Sequence, residues 1–518
     1  LSAAGSEQEG LPAVCEEGRR KKELTLYQIK RKGMKQMSNE ATKTPAKQGK
    51  LGKPFIWFHA TSVNGGAMAI AATIASYFSL YVQETIGITA AQLSVILLIC
   101  TLWDAINDPI MGVICDTVKP RWGRYRTWFT FTPIFLLVDM FLLFSNPGFI
   151  QGSPMKKCIY VCITYMFYGM IVTAYTMPQM AILPAMTLDD EERNDVVAKG
   201  AGVCALMFTI ASTFSTQLVE IFGSYRNLMC FYAVFAIISF WGLYKTSEER
   251  YVMPKEKGEG GLKQLVYVFR HKEIWPVMVV WCLAAVSYGF MFTSSVYYAQ
   301  YILAGQRVDF ATMDEAAIGA TIGGTISTYM GFISMGALIS MVVLMPIFLK
   351  KFKTGYKAMI ISQILTIICY VILYFTGRMN FMYCCILSFV ATAVGSMVNA
   401  LVNVLVNDTI DFIMLKEGKQ LNGIISSVKG FAQKCGNTIT NSGMLAILAI
   451  CGFDAQLGPF GQSQTAVTGT NMVRFLVPAL VSAAILVIMI FYPLKKYFPE
   501  IAEMKKRIAA EHEANGAE

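Results

Sequence analysis

The sequence is poor in charged residues and contains very little histidine. Only 15% of its 518 residues are Asp, Glu, Lys or Arg, whereas 55% are hydrophobic, and the mean hydropathy is +0.48. Soluble domains have about 25% charged residues, so this composition excludes an ordinary soluble protein and predicts a polytopic membrane protein. The three histidines, His59, His271 and His512, are too few and too dispersed for a metal site.

The cysteines also lack the spacing of a metal or redox site. All thirteen are scattered, and the closest pairs, Cys158/Cys162 and Cys384/Cys385, do not have zinc or redox spacing. No nucleophile paired with a base and no metal constellation stands out. We therefore predict that the protein is not an enzyme and holds no cofactor.

Positive charge is concentrated at the start of the chain. Residues 1–53 contain twelve Lys or Arg and six Glu, which is +6 of the net charge of +10. This segment has no apolar run, which favours disorder. A basic tail beside an apolar segment is typical of the cytoplasmic side, where anionic membrane lipids attract cations, and we expect no nucleic-acid partner. Because the chain begins at Leu1, Met34 or Met37 is an alternative start.

Twelve apolar runs follow, each close to the roughly 20 residues that a helix needs to cross a bilayer. The predicted spans are 56–82, 91–115, 127–145, 158–182, 200–221, 227–244, 276–303, 329–349, 357–376, 380–407, 422–450 and 472–494. We therefore predict an all-α membrane protein with twelve transmembrane helices.

A polar stretch between the sixth and seventh runs, Lys245 to Lys272, divides these helices into two groups of six. The predicted organisation is a basic cytoplasmic tail (1–54), an N-terminal six-helix bundle (55–245), a central cytoplasmic loop (246–275), a C-terminal six-helix bundle (276–498) and a C-terminal cytoplasmic tail (499–518). Lys and Arg are more frequent in the loops on one side, which predicts that both termini lie in the cytoplasm. The basic loop 119–126 has a counterpart at 350–357, and two such repeats are typical of the major facilitator fold.

The most informative motif is the run from Trp103 to Gly112. Asp104, Asn107 and Asp108 have i, i+3 and i+4 spacing, so they share one face of the second helix. At 1.5 Å per residue, the two carboxylates lie about 12 to 18 Å inside the membrane. A buried carboxylate is costly there, and such residues usually bind a cation or a proton. Na⁺ favours several hard oxygens, whereas a proton needs only one carboxylate, so the sequence is compatible with either ion. The alternative is that the two acids bind no ion and only form a salt bridge to another helix.

Lys434 lies at a similar depth in the eleventh helix, about 20 Å from the same membrane face. A buried Lys without a counter-ion tends to lose its proton, so we expect Lys434 to face the acid pair and to take part in coupling. Arg193, Asp408 and Asp411 are candidates for inter-bundle ion pairs of a cytoplasmic gate; the alternative is three solvated loop charges. Asp139 carries no site prediction and is expected at the outer headgroups, and Arg474 is expected to extend towards the interface.

These motifs resemble those of the glycoside-pentoside-hexuronide:cation symporter family. The resemblance rests on Trp103 to Gly112 and the Asp-Thr, Trp-Gly-Arg and Tyr-Arg that follow, and it extends from about Phe55 to Phe498. It implies a Na⁺ or H⁺ site at Asp104, Asn107, Asp108 and Thr173. The segment Phe431 to Gly436 resembles the family's lysine-glycine signature, and Asp408 to Asp411 resembles the segment after its tenth helix.

The solute side of the resemblance is less complete. Where melibiose-transporting members have an aspartate in the first helix, and an aspartate and a tryptophan in the fourth, this chain has Met68, Thr176 and Met180. Methionine makes a softer, less polar lining, which argues against a typical galactoside. The further candidates for solute contacts are Asn64, Gln179, Asn399 and Asn403, of which the last two can also be packing amides.

We predict a secondary active symporter of the plasma membrane that couples Na⁺ or H⁺ to the import of a small organic solute, a sugar, glycoside or uronide. One alternative is an amphipathic solute, such as a lipid or a steroid, because a related eukaryotic branch handles lysolipids. Another is a receptor or sensor that binds without transport. No obligatory protein partner is evident.

Overall fold

The structure is a computed structural model, and it describes residues 51–117, 122–187, 190–249, 270–352, 354–417 and 422–504. The predicted N-terminal tail, except for its last residues, the middle of the central loop and most of the C-terminal tail lie outside these ranges. Within them the chain forms twelve long helices, besides short 3-10 turns. These are α1 (Lys53–Ile86), α2 (Ala90–Thr117), α3 (Trp128–Leu143), α4 (Pro154–Met186), α5 (Asp190–Phe222), α6 (Tyr225–Thr246), α7 (Ile274–Gln306), α8 (Glu315–Phe352), α9 (Gly355–Thr376), α10 (Phe381–Lys416), α11 (422–450) and α12 (Gln464–Met504).

Hydrophobicity explains why these helices form and where they lie. Ten of the described helices are long and apolar enough to cross a membrane; α3 is apolar but shorter, and α11 is more polar because it carries Lys429, Lys434 and Asn437. Helices α1 to α6 pack mainly on one another, as do α7 to α12. The predicted all-helical fold of two six-helix bundles is therefore confirmed.

Several helices begin earlier than the apolar runs indicate, because capping residues start them. Helix α8 was predicted from residue 329 but begins at Glu315. The preceding residue, Asp314, caps the helix, because its side chain accepts a hydrogen bond of 2.8 Å from the Ala317 N–H. Helix α12 was predicted from 472 but begins at Gln464, after Ser463 accepts from the Ala466 N–H. Small and polar first turns lower the hydropathy of these segments without preventing the helix.

The two ends of the assembly have different contacts. We call the end that contains Lys53 and Met504 the near end. There, the Glu249 carboxylate after α6 accepts hydrogen bonds from the N–H groups of Arg124, Tyr125 and Arg126, at 2.7 to 3.1 Å. Gly123 has φ of +109°, and a Cβ at this position would lie 2.8 Å from Glu249, so the glycine of the Trp-Gly-Arg motif permits this contact.

At the opposite, far end, hydrogen bonds join the two bundles. The Glu84 carboxylate of α1 accepts from Gln300 Nε2 at 2.6 Å and from the Tyr301 hydroxyl at 2.8 Å, both on α7. We call this group the far-end latch; it consists of Gln83, Glu84, Tyr297, Gln300, Tyr301 and Gln456. Ser212–Ser334 (2.9 Å) and Thr216–Ser327 (2.6 Å) join α5 to α8 nearby. The far end is therefore closed between the bundles.

Candidate functional site: a carboxylate pair facing a lysine

The acidic face of α2 contacts α4. Asp108 Oδ1 accepts a hydrogen bond of 2.8 Å from the Thr173 hydroxyl, which also lies 3.1 Å from the Gly169 carbonyl oxygen. Thr173 is 7% exposed, so its side of this part-buried contact is shielded from solvent. The structure thus brings together Asp108 and Thr173, which are 65 residues apart in sequence.

Lys434 approaches the same carboxylate from the other bundle. Its Nζ forms an ion pair with Asp108 Oδ2. The side chains of Lys434 and Asp108 are 39% and 20% exposed, so the pair is accessible to solvent on one side. A half-exposed pair of this kind can exchange partners at a much lower cost than a sealed one.

Asp104 and Asn107 complete the polar face. Asp104 Oδ1 is buried with no hydrogen-bond partner in the described part of the chain, and the same holds for Asn107 Nδ2. Asn107 is only 4% exposed. Asp104 and Asp108 both face α4, at Gly169 and Thr173 respectively. The oxygens of two carboxylates and a hydroxyl suit a hard cation, while either carboxylate could instead take a proton.

Gly169 on α4 sets the space available to Asp104. A Cβ at this position would overlap the Asp104 carboxyl group. We therefore expect Gly169→Ala to displace Asp104 and to weaken cation binding about 10- to 100-fold, as changes next to a metal ligand usually do. Cation-dependent thermal stabilisation of the purified protein measures this, with Gly202→Ala as the control because nothing lies within 4 Å of a Cβ there. Equal cation affinity in both variants would contradict the assignment.

The residues predicted to bind solute are distributed over several environments. The Thr176 hydroxyl donates to the Val172 carbonyl of its own helix at 2.7 Å. Gln179 is buried, with its Nε2 3.4 Å from His59 Nε2, and Asn403 accepts a hydrogen bond of 3.0 Å from Lys429. Met180 is exposed. The remaining three, Met68, Asn64 and Asn399, are partly exposed.

A central cavity has a lining that the sequence analysis missed. It contains Tyr165 and Tyr168 of α4, Tyr288 of α7, and Asn437 and Asn441 of α11. The available signal was the pair of amides at i and i+4, because Asn437 and Asn441 lie within an apolar run just after Lys434. None of the seven predicted solute residues lines this cavity.

The predicted cytoplasmic gate residues lie near the near end. Arg193 donates to the Thr187 carbonyl oxygen from Nε at 2.9 Å and from Nη2 at 2.7 Å. Asp408 accepts from the Tyr492 hydroxyl at 3.3 Å. Both contacts lie within a bundle, and the inter-bundle role of these residues and of Asp411 stays a prediction.

Two expectations about charged residues are wrong. Asp139 is fully buried and therefore does not contact the headgroups, and neither of its carboxyl oxygens has a partner in the described ranges. Arg474 is also fully buried, with its guanidinium 4.9 Å from the Phe475 ring centre and its Nε donating to the Tyr329 hydroxyl at 3.1 Å. Aromatic faces stabilise this cation inside the C-terminal bundle.

The arrangement can be compared with known proteins. The sequence pattern of a family described as MFS/sugar transport protein matches residues 62–496. The chain belongs to this family. It is therefore a multi-pass integral membrane transporter of small solutes and not an enzyme, and the resemblance to glycoside and cation symporters is confirmed.

Individual relatives of this sugar transport protein agree with the family. It is 24% identical to the isoprimeverose transporter of Lactiplantibacillus pentosus over 452 residues, which are 85% of this chain and 88% of that one. It is also 24% identical to the uncharacterised symporter YnaJ of Bacillus subtilis strain 168, over 85% of this chain and 92% of that one. A solved bacterial homologue of the human lysosomal transporter Spinster shares the fold, with a TM-score of 0.60 and 10% identity, over 87% of this chain and 99% of that one.

Proposed function

We propose that this protein imports a sugar-like solute by symport with Na⁺ or H⁺. The observation that carries the proposal is the position of Lys434, because its ammonium group pairs with a carboxylate of the other bundle. The protein thus has a cation of its own at the place where a coupling ion would bind. The isoprimeverose transporter and the symporter among its relatives support a sugar and a coupled mechanism.

The coupling mechanism is an exchange of partners at Asp108. When Na⁺ or H⁺ enters, it binds among Asp104, Asn107, Asp108 and Thr173 and replaces the Lys434 ammonium group as the counter-charge of Asp108. Breaking that contact removes a link between the bundles, so cation binding changes the equilibrium between the two conformations. The solute binds better to one of them, and the two affinities are therefore linked.

The far-end latch supports an inward-facing state. If the termini lie in the cytoplasm, as predicted, the far end is extracellular, and its hydrogen bonds close the path between the bundles on that side. Arg193, Asp408 and Asp411 would then form the cytoplasmic gate in the opposite state. The surrounding membrane lipids also take part in this cycle.

Uptake into proteoliposomes tests the proposal. We expect accumulation of a neutral glycoside such as isoprimeverose when an inward Na⁺ or H⁺ gradient is imposed, and only equilibration without it. Separate Na⁺ and pH gradients identify the ion. Accumulation that is independent of both gradients would refute symport, and the double variant Asp104→Asn/Asp108→Asn provides the uncoupled reference.

A further inference from the structure

The central cavity lies between the two bundles and beside the cation site. Its volume is about 280 Å³, which is close to the lower limit for ligand pockets of about 300 Å³. Walls from α1, α4 and α5 face walls from α7 and α11. A solute bound by both bundles contacts each of them, so its affinity changes when the bundles move relative to each other during transport.

Aromatic rings form much of the cavity wall. Phe208 of α5 and Phe292 of α7 meet edge to face with ring centres 4.9 Å apart, and Tyr288 lies 5.1 Å from Phe292. Tyr165 and Tyr168 supply rings from α4, 6.0 Å apart. Flat apolar faces of this kind suit the C–H face of a pyranose or furanose ring.

Polar groups in the cavity are uncharged and available. The side chains of Asn437 and Asn441 have no hydrogen-bond partner among the described residues, whereas the Thr293 and Thr440 hydroxyls donate to the backbone carbonyl groups of Ala75, at 3.1 Å, and Gly436, at 3.1 Å. Each free amide offers one acceptor and two donors. Together they can bind neighbouring hydroxyls of one solute.

Close helix packing positions the two amides. A Cβ at Gly436 would overlap the Cys282 carbonyl of α7. A Cβ at Gly289 would lie 2.7 Å from Thr440. Asn441 lies within a π-helical turn, Ile439–Gly443, a feature that is frequent at functional sites.

The charges near the cavity favour the binding of neutral sugars over acidic sugars. No Asp, Glu, Lys, Arg or His lines it within the described ranges, and the nearby Lys434 is already paired with Asp108. Asp104, which contacts Gly169 next to Tyr168, adds negative charge at this edge. Desolvating a sugar carboxylate without a cationic partner is costly.

We infer that this cavity is the solute site and that it selects uncharged sugars or glycosides over uronides, with Asn437 and Asn441 binding the hydroxyls. The inference rests on the proposed function for the view that the solute is sugar-like. It also explains coupling, because Asn437 lies one turn from Lys434 on α11 and Tyr168 adjoins Gly169 on α4. Cation binding and solute binding therefore act on the same two helices.

Equilibrium binding to the purified full chain in detergent tests this inference, without any gradient. The probes are isoprimeverose, xylose and methyl glucoside as neutral sugars, and glucuronate and methyl glucuronide as acidic ones, each with Na⁺ and at two pH values. We expect at least one neutral probe to bind at least about tenfold more tightly than both acidic ones. Asn437→Leu and Asn441→Leu are each expected to weaken that binding about tenfold or more, because a solute hydroxyl loses its partner.

Ile439→Ala is the matched control, because Ile439 lies between the two amides but is exposed and absent from the cavity wall. Cation-dependent stabilisation at the parent level shows that the Leu variants are folded. Tighter binding of an acidic probe, no binding of any neutral probe, or parent affinity in both Leu variants would overturn the inference. Failure of the symport proposal is a different result, namely solute binding without gradient-driven accumulation.

Discussion

Asp108→Asn is expected to abolish gradient-driven solute accumulation. Asp108 accepts the Thr173 hydrogen bond and pairs with Lys434, so the variant loses a charged cation ligand and leaves an ammonium group without its partner. A contact with a charged ligand contributes about 1.5 to 3 kcal/mol. Because the Asp108 side chain is 20% exposed, we expect the lower part of this range, which corresponds to about 10- to 30-fold weaker cation binding.

Uptake against an imposed gradient, together with cation titration of the purified variant, measures this effect. Asp195→Asn is the control, since Asp195 is an exposed residue that pairs with Lys199 at 2.6 Å on the same helix. Such exposed pairs contribute little to stability, and we expect parent-level uptake. Accumulation by Asp108→Asn would show that the coupling ion binds elsewhere.

Lys434→Gln is expected to have the opposite effect on the cation and a similarly large effect on net transport. Without the ammonium group, Na⁺ or H⁺ no longer competes for Asp108, and loss of an ion pair worth about 1 kcal/mol raises cation affinity about fivefold. In the parent protein, the Lys434 ammonium group would neutralise Asp108 while the empty carrier returns to the outward-facing conformation. The variant lacks this group, so its return step is slow. Net uptake is expected to fall at least about tenfold, while solute exchange with cation on both sides continues.

Counterflow and net uptake, measured on the same proteoliposomes, separate these two steps. Lys429→Gln is the matched control, because Lys429 lies five residues earlier on α11 and contacts Asn403 rather than the acid pair. Equal loss of exchange and net uptake in Lys434→Gln would indicate a general structural defect. Unchanged net uptake would exclude Lys434 from the coupling step.

The sequence predicted the helices well because each one is a long apolar run. It placed α9 at 357–376, and the structure has Gly355–Thr376. It underestimated α8 and α12 because their capped first turns are small or polar. Hydropathy detects the membrane-crossing part of a helix, whereas side-chain capping determines where the helix begins.

For the candidate site, the spacing of Asp104, Asn107 and Asp108 was enough to place them on one helix face. The similar predicted depth of Lys434 in the membrane was enough to predict that it faces the two acids. The contact between Lys434 and Asp108 depends on how α2 and α11 are rotated towards each other, which no single helix encodes. The role of Gly169 likewise appears only when α4 lies beside Asp104. The cavity could not be predicted for the same reason, since its wall combines five helices.

Asp139 and Arg474 show that the position of a charged residue in a helix does not by itself predict whether its side chain is buried. Both were expected at an interface, yet both are fully buried. For Arg474 the reason is the aromatic shell of Tyr329, Tyr370 and Phe475. Nothing in the structure explains why Asp139 is buried without a partner in the described part of the chain.

The far-end latch joins one carboxylate to amide and phenol donors, without a pair of opposite full charges. Dissolved salt screens attraction between exposed charges over a distance of about 8 Å at physiological ionic strength, but it has less effect on the part-buried hydrogen bonds of the latch, whose donors are neutral. Closure of the far end is therefore insensitive to ionic strength, whereas the half-exposed contact between Asp108 and Lys434 weakens as salt rises. A rise in salt concentration would therefore leave the barrier at the far end unchanged while loosening the ion pair between the bundles.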